Sequence, residues 1–367
     1  MSERIRGVLA PVVTPFHGDL SPDPERLIEH CRWLTSRNCG LAVFGTNSEA
    51  NSMSADERIE LLDALVAAGI DPARMMSGTG CCSITETVRL SAHAVKQGCA
   101  GVLMLPPFYY KQVSEDGLFH YFSEVVQRVG DARLRIYLYH IPPVAIVGIT
   151  PRLVERLLAA YPGTVAGMKD SSGDWNNTKA FLDAFSVRSG SSGPGASPDF
   201  DVFVGSDSLL LANMRGGGAG CISATANVNP AAIHNLYAEF IRRNCSGACV
   251  KRRKEKKALG TNASTTTELQ DQQTKLDVVR RVFANRKFPS MIAALKQAIA
   301  IYRNDAEWAR VRPPLVQLNE EQSRELEAEL KQIGFAQQKA PAARQRIAPG
   351  RKPGDRRPPK DQPRQGR

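Results

Sequence analysis

Lys169 follows the apolar run "VAGM" at 165–168. An amine at the end of a core strand is either an ion-pair partner or a nucleophile, because lysine is seldom buried without a task. Asp170 is the adjacent carboxylate, but successive strand residues point to opposite faces, which makes that pair awkward. Other polar residues end or follow similar runs: Thr46 and Asn47 after "GLAVFG", Tyr109 and Tyr110 after "GVLMLPPF", Tyr139 in "RIYLY", and Ser206 and Asp207 after "DVFVG".

Together these types suit amine catalysis. A lysine desolvated in a protein cleft releases its proton more readily than in water. The free amine attacks the carbonyl of a 2-oxo acid and forms a Schiff base. The protonated imine draws electrons from the next carbon, and the resulting enamine allows a carbon–carbon bond to be made or broken. A phenol can both give and take the protons involved. The turn at Thr46–Asn47 offers backbone N–H groups, a hydroxyl and an amide to a carboxylate. The sequence has no His/Asp/Glu metal motif and no nucleotide-type Gly loop, so the expectation is chemistry without metal or other cofactor. "GGGAG" at 216–220 precedes an apolar run, which suits a tight turn rather than a phosphate cradle. Blander roles exist for each residue. Tyr139 fits a rim aromatic, Asp207 a helix cap, and Thr46 a loop hydrogen bond.

Eight apolar runs supply the frame. They begin near Gly7, Gly40, Met75, Gly101, Arg135, Val165, Asp201 and Gly220, mostly about 30 residues apart, the length of a strand plus its return helix. They lack polar alternation, as parallel strands covered on both faces do. The intervening segments are helical. "SADERIELLDALVAAG" and "SITETVRLSAHAVKQG" each open with a Ser-x-x-Glu capping pattern, and Leu27, Cys31 and Leu34 share one stripe. The pattern predicts an α/β fold, a (β/α)8 TIM barrel over 1–243, with an open doubly wound sheet as the other possibility. In a barrel the candidate residues gather on one face, at the carboxyl ends of the strands. Residues 244–275 lack apolar periodicity and read as a polar, basic, mobile insertion. Residues 276–337 resume helical pattern as a C-terminal helical subdomain, and 338–367 read as a disordered basic tail.

The net charge of +11 is local. Residues 338–367 carry ten basic and two acidic side chains and residues 242–257 carry eight and one, so the remaining chain is net −4. Such runs can bind nucleic acid by counterion release, yet they contain no aromatics for base stacking, and solvated appendages are the simpler reading. Eight scattered cysteines, without a secretory signal or a membrane-length apolar stretch, point to reduced thiols and a cytoplasmic enzyme. Cys245 and Cys249 form no more than half a zinc site.

The motifs "GTNSEA" (45–50), "PPFYY" (106–110), "YHIPP" (139–143), "GMKDSSGD" (167–174) and "GGGAGCISATANVNP" (216–230) resemble, in order and spacing, the dihydrodipicolinate synthase/N-acetylneuraminate lyase family. The resemblance runs from about residue 5 to 335, interrupted by 244–275. It implies that Lys169 forms the Schiff base with pyruvate or a related 2-oxo acid and that Tyr139 shuttles the proton. Thr46 and Asn47 would hold the carboxylate, Tyr110 would serve as a second relay tyrosine reaching into a neighbouring subunit, and Gly205, Asp207 and Ile222 would contact the rest of the substrate. It further implies small-molecule 2-oxo acid and aldehyde substrates and a homotetramer built as a dimer of dimers.

Three positions depart from the family pattern. Asn47 replaces a relay hydroxyl, as in some 4-hydroxy-2-oxoglutarate aldolases, and Ser48 replaces a glycine. Val144 stands where dihydrodipicolinate synthases place an arginine for a second carboxylate. The expectation is therefore an aldolase or lyase with another acceptor. Two alternatives stand beside it: a 2-oxo acid dehydratase using the same imine, and an inactive barrel acting as a nucleic-acid scaffold.

Overall fold

The computed structural model describes residues 4–185, 200–244 and 262–336. Each expected apolar run carries a strand: β1 (Gly7–Ala10), β2 (Gly40–Leu41), β3 (Met76–Gly78), β4 (Gly101–Met104), β5 (Ile136–His140), β6 (Val165–Asp170), β7 (Asp201–Val204) and β8 (Gly220–Ile222). All pair in parallel in the order β2-β1-β8-β7-β6-β5-β4-β3, and a parallel bridge between Leu41 and Met75 joins the two ends. The sheet is thus closed, and the open-sheet alternative is set aside.

The uninterrupted apolar runs follow from this closure. One set of side chains, including Leu9, Leu103, Tyr137, Phe203 and Ile222, fills the barrel interior, while the alternate set packs under the surrounding helices. Gly220 shows why the "GGGAG" turn needs glycine. Its φ is 144°, and a Cβ there would lie 1.9 Å from the Gly7 carbonyl oxygen on the paired strand.

The helix starts follow their local chemistry. Ser54 and Glu57 form the full reciprocal cap of Ala55–Ala67. Ser83 accepts from the Glu86 N–H at the start of Ile84–Lys96. In Pro24–Ser36, capped by Asp23, the stripe of Leu27, Cys31 and Leu34 is buried together with His30 and Trp33.

The C-terminal helices Asn262–Phe283, Met291–Arg303 and Glu320–Gln332 share a second core built on Val282, Phe283, Leu295, Ile299, Trp308 and Leu326. Val13, Ala224 and Val228, from loops after β1 and β8, belong to the same core, so these helices pack against the strands' carboxyl ends.

One boundary differs from the sequence reading. Residues 262–275, expected in a mobile insertion, form the first part of the helix Asn262–Phe283. Leu269, Gln273 and Leu276 share its buried stripe. The middle member is polar, which broke the apolar period; its amide accepts from the Leu211 N–H and donates to the Asp207 carbonyl. Residues 245–261, with "KRRKEKK" and both Cys245 and Cys249, and residues 337–367, which include the basic tail 338–367, lie outside the described residues. Among the described residues no helix is long and apolar enough to cross a membrane.

Candidate active site

Tyr139, Lys169 and Phe203 are register neighbours on β5, β6 and β7, so their side chains enter the barrel at one level. Lys169 is only 3% exposed. Its Nζ donates to the Tyr139 Oη at 3.1 Å and lies 4.2 Å from the centroid of the same ring. The ion-pair reading of Lys169 with Asp170 does not hold. Asp170 faces outward, where it accepts from the Ser172 N–H, Asn177 Nδ2 and Thr178 Oγ1.

Tyr139 is the hub. Thr46, opening the short turn Thr46–Ser48 after β2, brings its Oγ1 to 3.3 Å from the phenol oxygen. The Ser171 hydroxyl is a further group that bears on the phenol's acidity. Burial pushes the Tyr139 pKa up, but the Lys169 charge, the bonds from Thr46 and Lys169, and the Ser171 hydroxyl outweigh it and hold the phenol below the ordinary tyrosine value. A phenol so poised yields its proton more easily than one in water. A small cleft opens beside it, lined in part by Phe44, Thr46, Asn51, Leu105 and Tyr139.

Ser171 was not singled out from the sequence, yet its signal was there: it lies two residues beyond Lys169 and so shares its face of the strand. Its space depends on Gly205. A Cβ at 205 would stand 2.0 Å from the Ser171 Oγ.

The other candidates are dispersed around this hub. Asn47 is half-buried, and its amide makes no hydrogen bond among the described residues. The positive φ values of this loop fall at Phe44 (59°) and Glu49 (58°), so Ser48 in place of glycine imposes no left-handed strain. Ile222 is buried inside the barrel. Asp207 is not a helix cap; Ser206 takes that role through the Ser208 N–H. The Asp207 carboxylate is buried, accepts from Ser223 Oγ and Thr225 Oγ1, both at 2.7 Å, and lies 3.5 Å from Arg280 Nη1. Tyr110 is 74% exposed and stacks edge-on with the equally exposed Tyr109. Neither packs, and Tyr110 takes no part in the hydrogen-bond cluster of its own chain. Val144 is exposed on the short helix Pro142–Ala145.

Comparison with known proteins agrees with this fold. The Dihydrodipicolinate synthetase family profile matches residues 4–333. An "Uncharacterized DapA-like lyase" of Chloroflexus aurantiacus is 35% identical over 237 residues, which cover 64% of this chain and 75% of the relative. The crystal structure of dihydrodipicolinate synthase from Agrobacterium tumefaciens superposes with a TM-score of 0.72 at 30% identity, covering 90% of this chain and 99% of the other. YagE, a prophage protein of the same family from E. coli K12 solved in complex with pyruvate, gives a TM-score of 0.74 over 90% of this chain and 99% of its own; at 24% identity this likeness speaks for the fold alone. The chain belongs to the dihydrodipicolinate synthetase family of Schiff-base aldolases and lyases.

Proposed function

We propose that Lys169 is the Schiff-base nucleophile of a carbon–carbon lyase acting on pyruvate or a related 2-oxo acid. The observation that carries this is the buried Lys169 amine, 3.1 Å from a phenol whose pKa is held down. The amine attacks the carbonyl carbon, the resulting carbinolamine loses water, and an imine forms. In the cleavage direction, the bond between the third and fourth carbons breaks and its electron pair enters the enamine. The hydroxyl proton on the departing fragment passes to Tyr139, leaving an aldehyde. The enamine takes a proton at the third carbon, and water then releases the 2-oxo acid and the free amine. Synthesis runs these steps in reverse.

Thr46 and Asn47 receive the carboxylate in this reading, supported by the free Asn47 amide and the Thr46 hydroxyl beside the cleft. In this reading Ser171 stands in for the hydroxyl absent at position 47, supported by its lowering of the phenol's pKa. Gly205, Ile222 and the Asp207 cluster form the wall for the rest of the substrate. Val144, in place of an arginine, favours an acceptor without a second carboxylate at that point.

The working form we assign is a cytoplasmic homotetramer in which Tyr110 enters a neighbouring site. The exposed apolar side chains of Tyr109, Tyr110, Val144 and Ile146 support an assembled state, and the six cysteines among the described residues, all unpaired there, suit a reducing compartment.

The test is intact-protein mass spectrometry after incubation with pyruvate and borohydride. A reduced pyruvyl adduct mapped to the Lys169 peptide, and missing in Lys169→Ala, is the expected result. No adduct from folded protein, with pyruvate or larger 2-oxo acids, overturns the assignment.

A further inference from the structure

The turn that carries Thr46 and Asn47 is held from far away in the chain. Glu49 closes it in left-handed backbone, φ 58° and ψ 32°, which a non-glycine residue adopts only where its surroundings impose it. Its own side chain supplies the constraint. Oε1 accepts from Lys296 Nζ at 2.7 Å, and Oε2 accepts from the Arg312 backbone N–H at 2.7 Å. Lys296 lies on the helix Met291–Arg303, 247 residues along the chain.

The same amine donates to the Thr14 carbonyl at 2.7 Å, and the Thr14 hydroxyl donates to the Ser48 carbonyl at 2.8 Å. Ser48 Oγ in turn accepts from the Gly45 N–H. Arg312 reaches the Leu20 and Ser52 carbonyls and the Glu57 carboxylate. The Phe16 ring lies beneath both cations, 4.4 Å from Lys296 Nζ and 4.7 Å from the Arg312 guanidinium carbon. Both ends of the turn are thereby tied to the C-terminal helices.

This pair is costly to build. Both side chains are fully buried, and burial pushes the Lys296 amine down to about 8 although Glu49 pulls it upward. Well-packed apolar side chains usually serve stability as well as a buried ion pair does. They do not fix a direction, whereas a carboxylate gripped at both oxygens does.

We propose that Glu49 and Lys296 are a positioning pair through which the C-terminal helices set the Thr46–Asn47 turn in the geometry that receives the 2-oxo acid carboxylate. The inference rests on the assignment of that turn to the carboxylate. The Lys296 amine is taken up by Glu49 and the Thr14 carbonyl, so the pair acts on the turn and is assigned no contact with substrate.

The experiment uses the full chain. Pyruvate is titrated, the imine is trapped with borohydride, and the adduct is counted by intact mass, while hydrogen–deuterium exchange follows the 45–53 segment. Lys296→Met is expected to raise the half-saturating pyruvate concentration at least tenfold. The adduct on Lys169 still forms at saturation, and exchange quickens at Ser48, Glu49 and Ala50 but not in the strands. Glu49→Gln, which keeps the shape and an accepting oxygen, raises half-saturation by a smaller factor. A folded Lys296→Met protein with wild-type half-saturation and exchange overturns the proposal. Should that variant not fold, Glu49→Gln decides alone, and wild-type half-saturation in it overturns the proposal equally. If the unaltered protein forms no adduct, the Schiff-base assignment is what fails, and the exchange measurement still reports whether the pair holds the turn.

Discussion

Ser171 occupies the space that a side chain at position 205 would need: a Cβ on Gly205 would sit 2.0 Å from the Ser171 Oγ. The hydroxyl that bears on the Tyr139 phenol is therefore accommodated because its neighbour just after β7 has no side chain. Gly205→Ala should push Ser171 away from the phenol. Turnover is expected to fall about 10–100-fold, with a stability loss of roughly 1–3 kcal/mol from overpacking. Ser171→Ala should lower turnover to a similar degree while leaving the thermal midpoint within a few degrees. Steady-state kinetics and thermal melts on both variants check this; an active Gly205→Ala protein would refute it.

Tyr139→Phe removes the proton carrier and keeps the ring. Turnover should drop about 10²–10⁴-fold, the range for loss of a general acid–base group. The borohydride-trapped adduct should still form on Lys169, more slowly, because the nucleophile remains. Trapping rates and turnover measured side by side separate imine formation from the later proton transfers.

Activity should also report the depressed Tyr139 pKa. Burial raises it, and the Lys169 charge, the Thr46 and Lys169 bonds and the Ser171 hydroxyl lower it further than burial raises it. Removing one of the lowering bonds must move it up. In Thr46→Val, the limb of the kcat/KM profile that reports the phenol is expected to shift to higher pH, and the maximum to fall. A limb at the wild-type position would mean that Thr46 does not act on the phenol.

Acid stability should depend on His30. Its ring is fully buried between Trp33 and Trp308, with Nε2 3.2 Å from Asn227 Oδ1 and Nδ1 3.1 Å from the Arg303 guanidinium. Asn227 Oδ1 also accepts from the Val13 N–H, and its amide nitrogen donates to the Pro11 and Ala224 carbonyls, so His30 braces the loops after β1 and β8. Burial, followed by the Arg303 charge, lowers the His30 pKa from 6.5 to about 3. The unfolded chain therefore takes up a proton that the folded chain refuses. The contribution is complete above pH 6.5 and is lost progressively toward pH 3, on the order of 3–5 kcal/mol in all. Urea unfolding between pH 7 and 4.5 should show the decline, with a shallower slope in His30→Gln. Equal slopes would exclude His30 as the group responsible.

Whatever depends on near neighbours along the chain is legible in the order of its residues. The unbroken apolar runs specify strands covered on both faces, and Ser54 and Glu57 announce their helix. The runs that end in Lys169 and Tyr139 bring the amine and the phenol to one face once the barrel is assumed. Ser171 was within reach too, because parity along a strand is a local property. Tertiary structure decided what depends on pairings across the closed barrel. Gly205 makes room for Ser171 from just beyond the adjoining strand, Gln273 is buried because Asp207 and Leu211 present backbone groups to it, and Lys296 meets Glu49 from 247 residues away. In each case the energy lies in satisfying a buried polar group, and its partner is named only by the path of the chain through space.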